Sequence, residues 1–278
     1  MFLGYFLIFD LLGGFRSAWG NRSLRRRCAV LRSVKELFGY QILATDGDVG
    51  KVDDFFFDDR TWTIRYVVVE TGGWLGGRKV LLIPAVLGEP RWEDRSFPVS
   101  LTKRRVEKSP DIDVARPVHR QHEIALHEYY SWIPYWDSGT EGLMIPPQVA
   151  VPVEVKGRGR KKKKEKAGDP HLRSAREVMG YHIHAKDGEI GHVDEFILDD
   201  TAWIVRYLVV DTRNWLPGRK VLISPHWVDG VSWDEARVNV GLDREKVKNS
   251  PEYLPSAPVN RRYEERLYDY YGRPTYWD

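Results

Sequence analysis

Four carboxylates cluster in the first third of this chain, at Asp53, Asp54, Asp58 and Asp59. They recur as Asp194, Glu195, Asp199 and Asp200. Paired acids at such spacing can relay protons or hold a cation. General acid–base work also needs pKa values shifted inside a cleft, and no pattern in the sequence marks a cleft. Turn formation explains the same residues, because Asp side chains bond nearby backbone N–H groups. The structural reading is preferred. A second group is His182, His184 and His192. The period of two along a strand puts His182 and His184 on one face. A two-residue hairpin at Asp187-Gly188 would set His192 against Ile183, on the other face, and a bulge would shift this by one. The matching places in the first copy hold Gln41, Leu43 and Lys51, so the fold does not require histidine there, and no metal site is assigned.

The third group is aromatic and basic: Trp74, Arg78 and Lys79, repeated as Trp215, Arg219 and Lys220. A Trp that caps a core beneath a snorkelling Arg is one account of it. A partner-binding patch is the other, because Trp and Arg are enriched at binding hot spots. These six residues are the candidate partner-binding site. Other chemistry finds little support. "GGWLGG" at 72–77 enters a strand and does not lead from a strand into a helix, so it lacks the form of a phosphate loop. The single cysteine, Cys28, allows no intrachain disulfide. No catalytic residues and no cofactor are assigned, and no small-molecule substrate is evident.

The elements that position these groups come twice. Adding 141 to each number from 36 to 137 keeps two segments in register without a gap, with 27 identities over 36–84 and 43 over the whole. Units of this length are small domains, larger than the ~20–50 residues of solenoid repeats. Each copy reads as mainly β: strands over 40–44, 49–57, 64–70 and 80–83, then two shorter ones around 93–96. The Asp46-Gly47 dipeptide marks a hairpin, and "IRYVVVE" is β-branched enough for a central strand. Gly50 suggests a bulge or a close backbone approach. Short helices follow over 102–108 and 243–249, capped by Thr102 and Asp243, and then a second helix in each copy. Trp62 and Trp203, just past a turn, are expected to plug a barrel end. About six short strands suit a small closed or nearly closed barrel. The fold class is therefore two tandem small β-barrels, each followed by short α-helices.

Charge divides the chain. The net value is +3, but the run from Lys156 to Lys166 carries +7 and residues 1–33 carry +5, which leaves −9 for the rest. A basic nucleic-acid-reading face on the domains is not expected. The organisation expected is an N-terminal extension over 1–33, a first domain over 34–137, a flexible Lys-rich linker over 138–170 and a second domain over 171–278. The apolar "MFLGYFLIFDLLGG" falls short of the ~20 residues a spanning helix needs. It reads as an interfacial anchor, a packed extension or a start placed too early, and the last is preferred, with Val30 as the candidate start.

The pattern "GYxIxAxDGxxGxVDxFxxDDxxWxxRYxVVxTxxWLxGRKVLxxP", present at 39–84 and 180–225, resembles the PRC-barrel domain. That domain forms the cytoplasmic part of the photosynthetic reaction-centre H subunit and the C-terminus of the ribosome maturation factor RimM. The resemblance implies the barrel fold and is nearly silent on activity. It leads us to expect a binding or scaffold protein that recognises an unknown protein partner and is not an enzyme. An RNA- or ribosome-associated factor is the alternative, with weak nucleic-acid or anionic-lipid contact through Lys156 to Lys166. A membrane-associated accessory of an electron-transfer complex is a third. A cytoplasmic location is expected, or else one peripheral to the inner membrane face.

Overall fold

A computed structural model describes residues 30–72, 77–110, 120–136, 171–212 and 218–277. Residues 1–29, the Lys-rich run, Trp74 and Trp215 lie outside the described residues, while the last residues of the expected 1–33 extension are described and include β1. The first copy opens with β1 (Leu31–Ser33) and one turn of helix, α1 (Val34–Leu37). Then come β2 (Gln41–Ala44), β3 (Gly47–Asp58), β4 (Thr63–Thr71), β5 (Lys79–Leu82) and β6 (Ser96–Pro98). Helices α2 (Lys103–Glu107) and α3 (Arg120–Tyr130) close it. The second copy runs β7 (Leu172–Ser174), α4 (Ala175–Val178), β8 (His182–Ala185), β9 (Gly188–Asp199), β10 (Ile204–Asp211) and β11 (Lys220–Ile223). It ends with β12 (Val228–Ser232), β13 (Arg237–Val240), α5 (Arg244–Lys248) and α6 (Arg261–Tyr271).

The fold is mainly β, as the alternating and β-branched runs require. Antiparallel neighbours β2, β3, β4 and β5 follow one another, and β6 returns to lie parallel to β2. The second copy repeats this with β8 to β11, and with β13 parallel to β8. Gly50 marks a close approach: a Cβ there would sit 2.0 Å from the carbonyl oxygen of Glu70 on β4. Its counterpart Gly191, at φ +142, would meet the Asp211 oxygen at 2.1 Å. Thr102 caps α2 as expected, accepting from the Arg105 N–H at 3.3 Å. Asp243 holds the cap position of α5, but its side chain makes no cap bond, which corrects that expectation. Its partner in the turn is elsewhere: Asp187 accepts from the Arg244 N–H at 2.8 Å.

Sequence reasoning expected each copy to close on itself. The strands cross over instead. β1 of the first copy pairs with β9 of the second, and β7 of the second pairs with β3 of the first. The registers are equivalent, Leu31 opposite Asp199 and Leu172 opposite Asp58. Between them β4 meets β10 at Thr63 and Ile204, positions 141 apart, so the approximate two-fold axis passes through this pair. Ile64 N–H donates to the Trp203 oxygen at 2.7 Å, and Val205 N–H donates to the Trp62 oxygen at 2.8 Å. Among the described residues the result is one 13-stranded sheet and one continuous core. Phe57 packs on Phe196 across the seam, with ring centroids 5.7 Å apart. Trp62 and Trp203 therefore seal the junction between copies and do not plug a free barrel end. Both sit at positive φ, 55 and 54 degrees, a conformation rare for a bulky side chain. Stacking of Trp62 on Phe57 at 5.3 Å helps hold it.

Because each copy supplies a strand to the other, the two halves should behave as one cooperative unit. Residues 30–137 and 171–278, expressed as separate tagged chains in one cell, should co-purify in equal amounts. The first alone should melt well below the complete protein. Independent elution of two fragments, each with the melting temperature of the whole, would show that the strand exchange contributes nothing.

Candidate functional site

The repeated carboxylates lie along the seam. Asp54 is buried on β3 and accepts from the Ser174 hydroxyl and from the Arg176 N–H at 3.0 Å, both in the other copy. Glu195, its counterpart on β9, accepts from the Ser33 hydroxyl. Ser33 and Ser174 also cap α1 and α4, accepting from the N–H groups of Glu36 at 3.2 Å and Glu177 at 2.9 Å. One hydroxyl thus starts a helix and anchors it to the opposite copy. The signal for this was in the sequence. Both copies read Ser-x-x-Glu just before an apolar residue, a capping box, at the end of the exchanged strand.

The other carboxylates divide the work. Asp58 and Asp199 close their own turns, accepting from Arg60 N–H at 3.0 Å and Ala202 N–H at 2.9 Å, and each pairs with an arginine of its own copy, Arg65 or Arg206. Asp59 reaches across to His171 at 2.9 Å and Arg173 at 3.1 Å, as Asp200 does to Arg32 at 3.5 Å. Asp194 takes Lys35 from the other copy at 3.0 Å and Lys220 from its own at 2.7 Å. Burial pushes the Asp54 carboxyl above its ordinary value despite its hydrogen bonds. Burial, helped by the charge of Asp194, does the same to Glu195. At Asp194 burial works upward too, but the bonds from Lys220 and Lys35 outweigh it and the value falls. At Asp58 the Arg60 N–H and the Arg65 charge likewise win over burial.

The six residues singled out from sequence are placed as follows. The Arg78 guanidinium donates to the carbonyls of Glu107 at 3.1 Å and Ser109 at 2.9 Å, tying down the end of α2. Arg219 makes the equivalent bond to Ser250. Lys79 pairs with Asp53 at 2.7 Å, as Lys220 does with Asp194. These four side chains have partners within the fold, and Trp74 and Trp215 lie outside the described residues. The histidine register differs from the expected one. A bulge between Ile183 and His184 sets His192 directly opposite His182. His182 contacts Glu189 at 3.0 Å and His184 lies 3.9 Å from the same carboxylate. Among the described residues, no group of His, Cys, Asp or Glu is arranged to hold a metal ion.

Sequence reasoning missed two clefts, one on either side of the seam. The larger has a volume of about 570 Å³ and lies between the Asp59–Trp62 turn of the first copy and β12 of the second. The smaller, about 270 Å³, lies between the Asp200–Thr201 turn and residues 87–90. Each has a tryptophan on its rim with an arginine stacked over it: Trp92 under Arg32 at 4.0 Å, and Trp233 under Arg173 at 3.9 Å. Trp92 is 38% exposed.

The tail helices brace the same sheet. Glu264 on α6 is buried and accepts from Tyr207 and Tyr276, each at 2.8 Å, and pairs with Arg261 at 3.1 Å. Glu123 on α3 accepts from Tyr66 at 3.0 Å and Tyr135 at 2.9 Å. Burial and the neighbouring Glu264 carboxylate hold the Tyr207 hydroxyl firmly protonated, as a donor.

This strand order and these turns are now open to comparison. The family model described as the PRC-barrel domain matches residues 30–97. Those residues form a PRC-barrel domain. The match begins one residue before β1, so the exchanged strand belongs to the PRC-barrel unit. Residues 172–240 form a second β-region of similar build beside it. A comparison with curated proteins found no match. No helix among the described residues is long and apolar enough to cross a membrane.

The carboxylate shifts predict opposite responses to pH. Asp194 has a folded value below its ordinary 3.8, so its contribution is complete above 3.8 and disappears as pH falls through the folded value. Asp194→Asn should therefore cost about 1–2 kcal/mol near neutral pH, and the cost should vanish in acid. Asp54 is raised, so it lowers stability as pH climbs from 3.8 through its folded value. Asp54→Asn should gain relative to the parent over that window. Urea midpoints across the acid range check both signs.

Proposed function

We propose that this chain is a two-copy PRC-barrel protein that works as a non-catalytic scaffold and binds another protein at the clefts beside its seam. The observation that carries this reading is the Trp–Arg stack on each cleft rim, Trp92 with Arg32 and Trp233 with Arg173. Large aromatic faces backed by a guanidinium are what binding hot spots are made from. They stand on turns fixed by a rigid sheet, where function tends to sit. The second PRC-barrel copy is supported by the 27 identities over 36–84 and by the repeated strand order. The carboxylates that would serve an enzyme are engaged in holding the copies together, which favours a structural task for them.

The test pairs binding with stability. Trp92→Ala and Trp233→Ala together should weaken capture of a partner recovered by affinity purification by about 2 kcal/mol or more, while the melting temperature changes little. Trp74→Ala and Trp215→Ala, in the loops picked out from sequence, form the comparison pair. Undiminished capture by the first pair would remove the clefts as the partner surface. Loss of capture by the second pair alone would move that surface to the 72–79 and 213–220 loops.

A further inference from the structure

The two copies act as controls for each other. Where they share a residue, the fold is account enough for it; where they differ, the fold does not demand the difference. The larger cleft is where such differences gather. Its wall has His171 where the first copy has Val30, and His226 where the first has Ala85. Its turn has Arg60 where the second copy has Thr201. A neighbouring hollow of about 510 Å³ shares Arg206 and His226 with it and ends at Arg273, where the first copy has Trp132. Each of these four exchanges puts an imidazole or a guanidinium where the other copy has an aliphatic, hydroxyl or indole side chain. Glu89 of the first copy is also replaced by Gly230, against one acid gained at Asp229.

The backbone differs in the same place. Residues 228–232 form the strand β12, at the end of the sheet, and among the described residues it pairs only with β13. The equivalent stretch of the first copy makes only isolated bridges, Leu87 with Val99 and Arg91 with Ser96, and has Pro90 at the place of Val231. Arg91 and Ser96 exchange both hydrogen bonds, at 2.7 and 3.1 Å. In the same register Ser232 and Arg237 form the bonded pair, so Val231 beside them points its N–H and C=O away from β13. Four successive residues, Val228 to Val231, line the cleft, and no residue of β13 does. A bulge between Val228 and Gly230 breaks the alternation of side chains there, and the strand turns its edge to the cavity. Proline on an edge strand blocks pairing. The first copy carries that block and the second does not.

We propose that the larger cleft binds an acidic segment of a partner protein, extended and added as a strand to the open edge of β12. Val231 supplies main-chain hydrogen bonds, and the half-buried Ile204 and Trp233 offer apolar surface to alternate side chains. Arg60 and Arg273, with the imidazole of His226, meet the carboxylates, while His171 is held by Asp59. This rests on the scaffold reading above and adds the chemistry of the partner and the mode of docking.

The test uses the full chain and a short fluorescent peptide alternating valine and glutamate, with a lysine-for-glutamate peptide and a short RNA as controls. Each variant installs the other copy's residue, which a copy of this fold already accommodates. Val231→Pro should weaken the acidic peptide by about tenfold, because proline removes the N–H that would pair with the added strand. Arg60→Thr with Arg273→Trp should weaken it by a similar factor and flatten its salt dependence. Melting curves establish that the variants are folded. If Val231→Pro proves unfolded, the arginine pair and the peptide controls still decide. Equal binding of the lysine peptide, or acidic-peptide binding untouched by folded variants, overturns the proposal. RNA binding that needs the arginines and ignores Val231→Pro overturns it in favour of a site for anionic polymer. If partner capture through Trp92 and Trp233 survives any of these outcomes, the scaffold reading stands without this inference.

Discussion

Ser33 donates to Glu195, and across the approximate dyad Ser174 donates to Asp54. Each serine is at once a helix cap and a tether. If it is removed, one buried carboxylate loses its partner and one helix loses its cap, with the lost partner alone costing about 1–3 kcal/mol. β1 and β7 are three residues long, too short to hold a register unaided, so the tether decides where they lie. Their pairing with β9 and β3 then places the Asp59 and Asp200 turns against the opposite copy. The clefts, their Trp–Arg rims and the shared core all follow from that placement.

The tail helices answer a different need. A five-residue helix such as α2 cannot cover a sheet face, and α3 and α6 complete the cover. Their anchors are buried acids, Glu123 and Glu264, each met by two tyrosine hydroxyls. A buried carboxylate is costly unless its oxygens are bonded, so the helix can dock only in the position that satisfies it. The exchange of His127 for Tyr268 between the copies keeps a polar, aromatic neighbour for that site while changing what packs around it.

Much of the fold was legible because strand alternation and the Asp-Gly turns are local signals. β2 to β5 and β8 to β11 fall within two or three residues of where period and turn chemistry put them. The exchange of β1 and β7 was not legible, because Leu-Arg-Ser is too short to show a period and nothing local says which copy it will join. The His182 register is shifted by one residue by a bulge, which Gly50 and its counterpart Gly191 hinted at in the sequence without fixing the pairing. The bonds of Arg78 were hidden for a related reason: a loop arginine that bonds the carbonyls of a later helix looks, in sequence, like one that faces a partner. The clefts were invisible for the strongest reason. Their walls come from residues more than a hundred positions apart, and only the crossing of the copies brings them together.

That crossing has a consequence for how such a molecule can change. A single copy that gave away its first strand would have to take one from a twin, and every substitution would then appear on both sides of the axis. Joining two copies in one chain ends that constraint. Val231 can leave an edge open on one side while Pro90 shuts its counterpart, and Arg273 can stand where the twin keeps Trp132. One side is then free to acquire a preference, and the other can go on supplying the strand that keeps the whole folded.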